Sequence, residues 1–452
     1  MLEYIKNMFG KGSAPPPSES KQGALVPTYI SGRELYPTYN FDKQIENYIS
    51  WIYICANMIS TNCASNSLRW YVSVPSKQSK IIGDTRPVSK KVNAYLRSKS
   101  TLTSYTKKAY EIQEVVDGPY IDLFKSVNGY LNEYSFIELL QQWLEVTGNC
   151  YVYVEKDGSG IPIQMFIFPT QNMTIIPDKN SNTLVKEYVY KNGLEKYTFT
   201  PEEMIHFRYH SVKDLYYGLS PLMAAVAPHE LYKSMQAFEK EILDNSGLHN
   251  LDVKIIGADQ KKIDEYRSKY NEKHTGVGKR AQNFWHNEQV EIRPLGITPR
   301  DMNFLQGRKL MVDEICACYG VPIAMIRADT VNRATVEASQ YQFAVNTIYP
   351  RLVKLEQQIN QSIVPMFDEP NLFCAFDSCI PEDEQFELNR ANTLYSSGLI
   401  TRDEAREMMK LDPIDGENVF YQDSGAIPIV NTSNIARGIA EKLNKIIGEE
   451  ND

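Results

Sequence analysis

The sequence predicts an α+β fold, and three features of the chain lead to this prediction. From Asp42 onward, apolar residues recur at spacings of three and four, which is the period of one buried helical face. Four strand-like runs follow between residues 150 and 190, separated by short turns. After His206 the pattern is mostly helical. The 452 residues provide length for two or three domains of about 150 residues each.

The N-terminal half begins with residues 11–30, whose proline, serine and glycine content predicts a flexible arm. Leu68–Pro75 predicts a strand because β-branched and aromatic residues dominate it. Between these segments lies one predicted helix, and the apolar residues of its buried face are Ile45, Tyr48, Ile52, Cys55 and Ile59.

Ser135 and Glu138 have the spacing of a capping box, which predicts the start of a helix that Gly148 ends. The strand-like runs after this helix predict one antiparallel meander, since short turns such as Asp157–Gly160 join them. The runs cover residues 150–156, 161–168, 173–178 and 184–190.

The C-terminal half is predicted to be mainly helical. Ser220 and Pro221 predict an N-cap followed by a first-turn proline. A long helix begins near Thr335, and Pro350 should kink it because proline removes one backbone hydrogen bond. Between these helices the pattern predicts a strand at residues 253–256, a polar helix at 258–270, a small β insertion at 275–298 and a helix from Pro299 to Gly320.

The last helical region is predicted from a second capping box, formed by Thr401 and Glu404. Residues 380–412 hold eight acidic and four basic side chains. A surface with this balance repels DNA, so the region suits a passage better than a binding site. The acidic residues Glu382, Asp383 and Glu384 are explained by the favourable helix dipole at a helix start.

Composition excludes several classes of protein. The net charge of -8 excludes a general nucleic-acid coat, which needs a surplus of lysine and arginine, but it is compatible with a protein that surrounds sliding DNA. The seven cysteines have no metal-ligand spacing, so we expect reduced and mostly buried thiols of a cytosolic protein. We expect no signal peptide and no membrane span, because the most apolar stretch, residues 48–59, is shorter than the ~20 residues a bilayer requires.

No catalytic motif is recognisable. The chain has no G-x-S-x-G elbow, Walker A loop, H-E-x-x-H zinc motif or dinucleotide fingerprint. His206 and His210 are four residues apart, but residues 204–209 alternate like a strand, which places both on one face without a third metal ligand. We therefore predict ordinary strand histidines and a protein that is not an enzyme.

Four segments in a fixed order resemble the portal family of long-tailed bacteriophages. The first contains I-H-F-R and then Y-G-L-S-P-L, within residues 201–233. The second, Arg308–Ile326, contains E-I-x-x-x-Y-G-V-P-x-x-M. The third is the proline-kinked helix from Asn346, and the fourth contains G-L-I-T-x-D-E-A-R, Gly398–Arg406. Each motif is weak alone, but together they cover roughly residues 200–420, whereas the N-terminal half matches in character only.

The resemblance implies a portal fold with a β-rich wing, a helical stem, a small β clip, a long kinked helix and a helical crown. It implies the following division: flexible arm 1–30, wing 31–257, stem helix 258–272, clip 273–298, stem helix 299–320, tunnel loop and long wing helix 321–365, crown 366–430 and C-terminal tail 431–452.

The resemblance also implies two contact regions. The tunnel loop would present a sparse positive collar to DNA, with the residues Arg327, Asp329, Thr330, Asn332 and Arg333. The clip would face the packaging motor and later the connector, with the residues Lys279, Arg280, Phe284, Trp285 and Arg293. Simpler alternatives are a surface loop whose arginine pairs with Asp329, and a basic loop with a buried tryptophan.

A member of this family is expected to be a non-enzymatic subunit of a ring, usually a dodecamer, at one capsid vertex. The ring is assembled in the host cytoplasm, belongs to the virion and conducts double-stranded DNA during packaging and ejection. The implied partners are further copies of the chain, the large terminase, the major capsid and scaffold proteins and the head–tail adaptor, with no cofactor, metal or membrane. The alternatives are another head-assembly or neck adaptor protein and an α+β enzyme with an unrecognised site.

Overall fold

The computed structural model divides the chain into two compact units, residues 1–379 and 380–452, which we consider separately. The model describes residues 40–75, 84–178, 184–244, 251–255, 259–274, 290–294, 304–327, 333–369, 371–381, 384–409, 411, 420–422 and 427–429. Helices and sheets are mixed along the chain, so the predicted α+β class is confirmed. No helix within these ranges has the length and apolarity needed to cross a membrane.

The helices of the first unit, in chain order, are α1 (Phe41–Glu46), α2 (Ser50–Ala64), α3 (Lys90–Ser98), α4 (Thr103–Thr106), α5 (Pro119–Lys125), α6 (Glu133–Thr147), α7 (Pro221–Asp244), α8 (Gln260–His274), α9 (Phe304–Tyr319), α10 (Arg333–Phe343) and α11 (Tyr349–Ser362). Its strands are β1 (Leu68–Val74), β2 (Thr85–Pro87), β3 (Glu111–Val115), β4 (Asn149–Lys156), β5 (Pro162–Phe168), β6 (Met173–Pro177), β7 (Val185–Asn192), β8 (Glu195–Phe199), β9 (Met204–Arg208), β10 (Leu251–Ile255), β11 (Val290–Pro294) and β12 (Leu372–Phe376).

The predicted N-terminal helix is two helices, α1 and α2. The Asn40 side chain accepts a hydrogen bond from the Lys43 backbone and caps α1, and the chain then breaks at residues 47–49. Ser50 has a φ of 55°, a left-handed conformation that ends any continuous helix across this point. Ile52, Cys55 and Ile59 are fully buried, so the predicted apolar face is confirmed for α2, which packs against α6.

The first sheet has the strand order β12–β1–β3–β2, all antiparallel. Strand β12 was not predicted, and every one of its residues is buried. It pairs with β1 from Leu68 opposite Phe376 to Val72 opposite Leu372. Residues 372–376 therefore belong to the first unit, although the sequence analysis placed them in the segment 366–430 assigned to the crown.

The predicted single meander is two three-stranded sheets, with the orders β5–β4–β9 and β6–β7–β8. A 3₁₀ turn at Thr170–Asn172 separates β5 from β6. The Thr170 hydroxyl is buried and donates to the Asn149 carbonyl oxygen over 3.0 Å, which fixes this turn against the start of β4. The free edge of β4 is then taken by β9, which lies about fifty residues later in the chain.

Helix α6 begins two residues before the predicted capping box. The Asn132 side chain accepts from the Ser135 backbone over 2.9 Å, so Asn132 is the N-cap and the box at Ser135 and Glu138 is wrong. Gly148 ends the helix with a φ of 74°, as predicted. Helix α7 begins at Pro221 as predicted, although the buried Ser220 hydroxyl makes no hydrogen bond there.

The sequence analysis predicted that the helix at 258–272 forms a pair with the helix at 299–320. In the structure, α9 packs along α7 instead. Arg308 of α9 forms an ion pair with Glu239 of α7 over 2.5 Å, and its guanidinium lies 5.4 Å from the Tyr232 ring centroid. Gly307 brings α9 close to α7, since a Cβ there would lie 3.2 Å from the Met235 methyl carbon. Among the described residues no comparable packing joins α8 to α9.

The segment between α7 and α9 contains a strand pair. Strand β11, which the sequence assigned to the clip, pairs antiparallel with β10, which it assigned to the wing. The pairing runs from Leu251 opposite Pro294 to Ile255 opposite Val290, and α8 lies between the two strands in the chain. Helix α8 is therefore part of a β–α–β insertion between the packed helices α7 and α9.

The long helix near Thr335 is interrupted one turn before the predicted proline. Residues 344–348 form a π-helical turn between α10 and α11, and Pro350 lies in the first turn of α11. A first-turn proline lacks only a backbone N–H that a helix start leaves unpaired. The sequence predicted a kink at Pro350, and the structure shows a π turn directly before the helix that contains this proline.

The second unit contains α12 (Glu384–Ser396), α13 (Arg402–Met408), β13 (Phe420–Gln422) and β14 (Ile427–Ile429). Gly398 has a φ of 69° in the turn between the helices. The predicted capping box is confirmed, because Thr401 accepts from the Glu404 backbone and the Glu404 carboxylate accepts from the Thr401 backbone. Strands β13 and β14 pair antiparallel.

We predict that Gly218→Ala destabilises the chain by more than about 3 kcal/mol. A Cβ at residue 218 would lie 2.2 Å from the Gly148 carbonyl oxygen and 2.6 Å from that of Tyr209, which are backbone atoms at the ends of α6 and β9. Urea unfolding monitored by circular dichroism measures this loss. The control is Gly158→Ala, where a Cβ meets nothing within 4 Å; equal midpoints for both variants would contradict the prediction.

Candidate functional site

The candidate tunnel loop follows the end of α9 in the chain. Gly320 follows this helix with a φ of 72°, and a Cβ there would lie 2.8 Å from the Thr347 hydroxyl. The Thr347 hydroxyl donates to the Gly320 carbonyl oxygen. Glycine is required at this position for both reasons, and the contact fixes the end of α9 against the π turn.

Arg327 lies at the start of the loop and is held by the fold. Its guanidinium lies 5.7 Å from the Trp51 ring centroid, and one of its nitrogens is 3.9 Å from the Asp313 carboxylate. Its side chain is 27% exposed. The predicted collar residue therefore contacts α2 and α9 at the base of the loop. The alternative, in which an arginine of the loop pairs with Asp329, stays a prediction because Asp329 lies outside the described residues.

The remaining predicted loop residues lie at or beyond the limit of the described chain. Arg333 is the first residue of α10. Asp329, Thr330 and Asn332 lie outside the described residues. The loop thus connects two helices whose positions are given, α9 through the turn at residues 320–327 and α10 from residue 333.

The predicted clip residues are placed by only one strand. Arg293 lies in β11, where its Cα is paired with that of Asp252 in β10. Lys279, Arg280, Phe284 and Trp285 lie outside the described residues. The strand pair β10–β11 therefore gives the position of residues 290–294, which lie within the predicted clip.

A buried ion pair missed by the sequence analysis joins the elements around the loop base. Glu145 of α6 is fully buried, and Arg351 of α11 donates to its carboxylate over 2.6 and 3.2 Å. The Tyr209 hydroxyl and the Gln141 amide each donate to the same carboxylate over 2.6 Å. Four donor groups thus compensate one buried negative charge, which satisfies the condition for a tolerated buried ion pair.

Arg351 also binds two backbone carbonyl groups beside the loop. Its guanidinium donates to Thr347 in the π turn over 3.0 Å and to Tyr319 at the end of α9 over 3.3 Å. Burial lowers the pKa of Arg351, but the Glu145 carboxylate more than offsets this, and the pKa lies above its ordinary value. Burial and the Glu145 charge raise the pKa of the Tyr209 phenol, which remains a donor.

A second buried pair fixes α11 to the first sheet. Lys99 donates to the Glu356 carboxylate over 2.7 Å, and both side chains are almost completely buried. The same carboxylate accepts from the Phe376 backbone over 3.0 Å. One turn further along α11, the Asn360 side chain bonds both backbone groups of Cys374 over 2.8 Å. Strand β12 is therefore attached to α11 as well as to β1.

His206 and His210 lie in different surroundings. His206 lies in β9 and stacks on Tyr151 with 4.4 Å between the ring centroids. Its ring nitrogen Nε2 hydrogen-bonds the Asn149 side-chain oxygen, which also accepts from the Gly218 backbone N–H. Burial, and then the nearby Arg208 charge, lower the pKa of His206, so the ring stays neutral. His210 lies beyond the end of β9, so the predicted shared strand face is wrong. Within the described ranges no cluster of His, Cys, Asp or Glu could hold a metal ion.

The cysteines are free thiols. Five of the seven are buried, in agreement with the sequence-based expectation. Cys55 of α2 and Cys316 of α9 lie closest, with their sulfur atoms 3.8 Å apart. This contact is part of the packing between α2 and α9.

The architecture around the loop consists of packed helices and paired sheets, with contacts at the base of the loop. Solved structures share it. A chain from the neck of a native gene transfer agent particle, computed with C12 symmetry, superposes with a TM-score of 0.57 at 17% identity, over 85% of this chain and 97% of that chain. A chain from the neck of the empty particle, computed with C6 symmetry, gives the same values.

Sequence comparison identifies the family. The model of the family described as "Phage portal protein" matches residues 92–409. The portal protein of Enterobacteria phage HK97 is 23% identical over 68% of this chain and 72% of its own length. The portal protein of Escherichia phage T5 is 22% identical over 65% of this chain and 70% of its own length. The chain belongs to the phage portal protein family.

We predict that Arg351→Met destabilises the first unit by about 3–5 kcal/mol, because the Glu145 charge is left buried without its partner. Urea unfolding measures the loss. The double variant Glu145→Leu with Arg351→Met should recover much of it, since both charges are then absent. The control is Arg86→Met, which breaks the ion pair between the exposed Arg86 and Glu114 and should change the midpoint far less. No recovery in the double variant would mean that packing, not charge, explains the effect.

Proposed function

We propose that the chain forms a ring at one capsid vertex that conducts double-stranded DNA during packaging and ejection. The observation that carries this proposal is the match to the portal family over residues 92–409. The shared fold with chains of particle necks, one of them computed with C12 symmetry, supports a ring and favours a dodecamer. A portal-family match also favours this function over a neck adaptor or an enzyme, and we propose that the chain is non-enzymatic.

The packing of the chain suggests which part forms the narrow stem of the ring. We propose the pair α7–α9, because these two helices pack together and the β–α–β insertion lies between them in sequence. The clip then lies within residues 245–303, which includes the segment 273–298 expected from the sequence. Its basic and aromatic residues make it the proposed contact with the large terminase and later with the head–tail adaptor.

The loop at residues 326–335 is the proposed contact with DNA inside the channel. Arg327 is held by Trp51 and Asp313, so the proposed contact depends mainly on Arg333. Ring symmetry repeats this residue once per subunit, and a single collar of positive charge holds DNA loosely enough to slide. The acidic balance of residues 380–412 suits a region that DNA passes without binding.

The proposed location is the capsid vertex of the virion, after assembly in the host cytoplasm. The major capsid protein and the scaffold protein are the proposed neighbours of the ring there. A ring of identical subunits needs two different surfaces on each subunit that meet head to tail and close after a fixed number of copies.

Purified chain is expected to form rings with a central hole in negative-stain electron microscopy. Class averages give the subunit number, and twelvefold symmetry is the expected result. Only monomers or dimers over a range of salt and protein concentrations would contradict the proposed function. The Arg351→Met variant is a useful comparison, because its destabilised fold should yield fewer rings under the same conditions.

Arg333→Glu is expected to reduce the amount of DNA packaged and retained in particles assembled with the variant subunit. The substitution replaces a positive collar with a negative one, which repels the phosphate backbone. The DNA content per particle, measured by absorbance after nuclease treatment, tests this. Lys191→Glu is the control, because it makes the same charge change on an exposed residue of β7. Normal packaging and retention in the Arg333 variant would exclude the contact.

A further inference from the structure

Residues 85–110 are strongly basic in a chain that is acidic as a whole. The segment contains seven basic residues and no acidic residue, whereas the complete chain has a net charge of -8. The basic residues are Arg86, Lys90, Lys91, Arg97, Lys99, Lys107 and Lys108. A concentration of one sign of charge over a short segment suggests binding to a partner of the opposite sign.

The segment folds as a rigid layer on the first sheet. Helix α3, a 3₁₀ turn at Ser100–Leu102 and helix α4 follow one another, and Leu96 and Leu102 are buried in a cluster with residues of β1, β3 and β12. The buried ion pair between Lys99 and Glu356 attaches the layer to α11. The basic residues are therefore held in fixed relative positions, so binding would order little additional chain.

Lys99 and Arg86 are neutralised by buried or partly buried carboxylates within the chain. Lys99 pairs with Glu356, and Arg86 pairs with Glu114 over 2.8 Å. The other five basic residues are all exposed, and we call them the basic platform: Lys90, Lys91, Arg97, Lys107 and Lys108. Neither Lys107 nor Lys108 forms an ion pair with any carboxylate in the part of the chain that the structure covers.

Arg97 brings the two parts of the platform together. Its guanidinium donates to the carbonyl oxygens of Thr106 and Ala109, each over 3.1 Å, and these two residues flank Lys107 and Lys108. Helical periodicity places Lys90 and Arg97 on one face of α3, seven residues apart. Arg97 is therefore a positioning residue that joins the α3 face to the lysine pair.

We propose that the basic platform binds the phosphodiester backbone of double-stranded DNA without sequence preference, at a place separate from the channel loop. The polar groups of this surface are those that phosphate contacts use: lysine and arginine charges beside exposed hydroxyl groups. The hydroxyl groups belong to the exposed residues Ser89, Ser100 and Ser104, whereas those of Ser98 and Thr103 donate to backbone carbonyl oxygens.

The surface chemistry favours nucleic acid over a protein partner. Between residues 85 and 110 Tyr110 is the one large apolar side chain that is exposed. Protein interfaces need a cluster of aromatic or aliphatic anchors for most of their affinity, and a single tyrosine beside five basic residues does not provide one. The choice of DNA as the partner rests on the proposed function. The basic platform shares no residue with the loop at 326–335.

The test uses preformed rings and a covalently closed DNA circle. A closed circle has no end to thread into the channel of a closed ring, so the binding that is measured must use an outer surface. Binding is followed by filter retention between about 50 and 200 mM salt, where each neutralised phosphate contributes about -0.9 to the slope of log affinity against log salt.

The variant is Lys107→Gln with Lys108→Gln. Loss of two phosphate contacts should weaken binding about tenfold and make the slope shallower by about 2. The matched control is Lys191→Gln with Lys196→Gln, which removes two exposed lysines paired across β7 and β8; its affinity should stay within about twofold of the unchanged protein.

Three outcomes would overturn the proposal: no binding of the closed circle by the unchanged rings, no effect of the platform variant, or an equal effect of both variants. A platform variant that keeps DNA binding but loses binding to polyglutamate would identify an acidic protein as the partner instead. Ring formation is scored in the same preparations by electron microscopy. Failure to form rings would refute the proposed function, whereas intact rings that fail to bind the circle would refute the platform alone.

Discussion

The first unit depends most on one buried ionic contact, Arg351 with Glu145. Burying either charge alone costs several kcal/mol, and the pair is tolerated because Arg351, Tyr209 and Gln141 all donate to the Glu145 carboxylate. This requirement fixes four separate parts of the chain relative to one another: α6, the end of β9, the end of α9 and the π turn before α11. Hydrophobic packing alone would allow α9 and α11 to shift against each other, whereas directional bonds from one guanidinium do not.

The same contact defines what can move in the proposed ring. The end of α9 and the start of α11 are held rigidly, and Arg327 is bound to Trp51 and Asp313. Residues 328–332, which lie outside the described residues, follow this anchored position in the chain and precede α10. Load from DNA on that loop would pass into α9 and α11 and then, through Lys99 and Glu356, into the first sheet. A DNA passage needs such stiffness if a collar is to keep its diameter.

The sequence correctly predicted those elements that depend on interactions between residues close together in the chain. The strand at 68–75, the glycine ends at residues 148 and 320 and the capping box at Thr401 all depend on neighbours within four residues.

The errors in the sequence-based prediction have long-range causes. Strand β12 depends on pairing with β1, about three hundred residues earlier, and α9 pairs with α7 rather than α8 through Arg308. At Ser135 two local caps compete, and Asn132 prevails because α6 extends one turn further back. Of the predicted site residues, only Arg327 has a described side chain, and its anchoring by Trp51 has no local signal.

Strand β12 also determines when the chain can acquire its structure during synthesis. It is the last strand of the first unit, yet it forms the edge of the sheet that begins with β1. Closing so large a loop is slow, because its entropy is lost before its contacts form. A nascent chain cannot complete this sheet until residue 376 has left the ribosome. Prematurely terminated chains therefore lack an edge strand. In such chains the Glu356 carboxylate, which pairs with Lys99, also lacks its backbone donor Phe376. Such fragments would be excluded from the proposed ring because they cannot complete their fold. This exclusion would protect an assembly that a single defective subunit could inactivate.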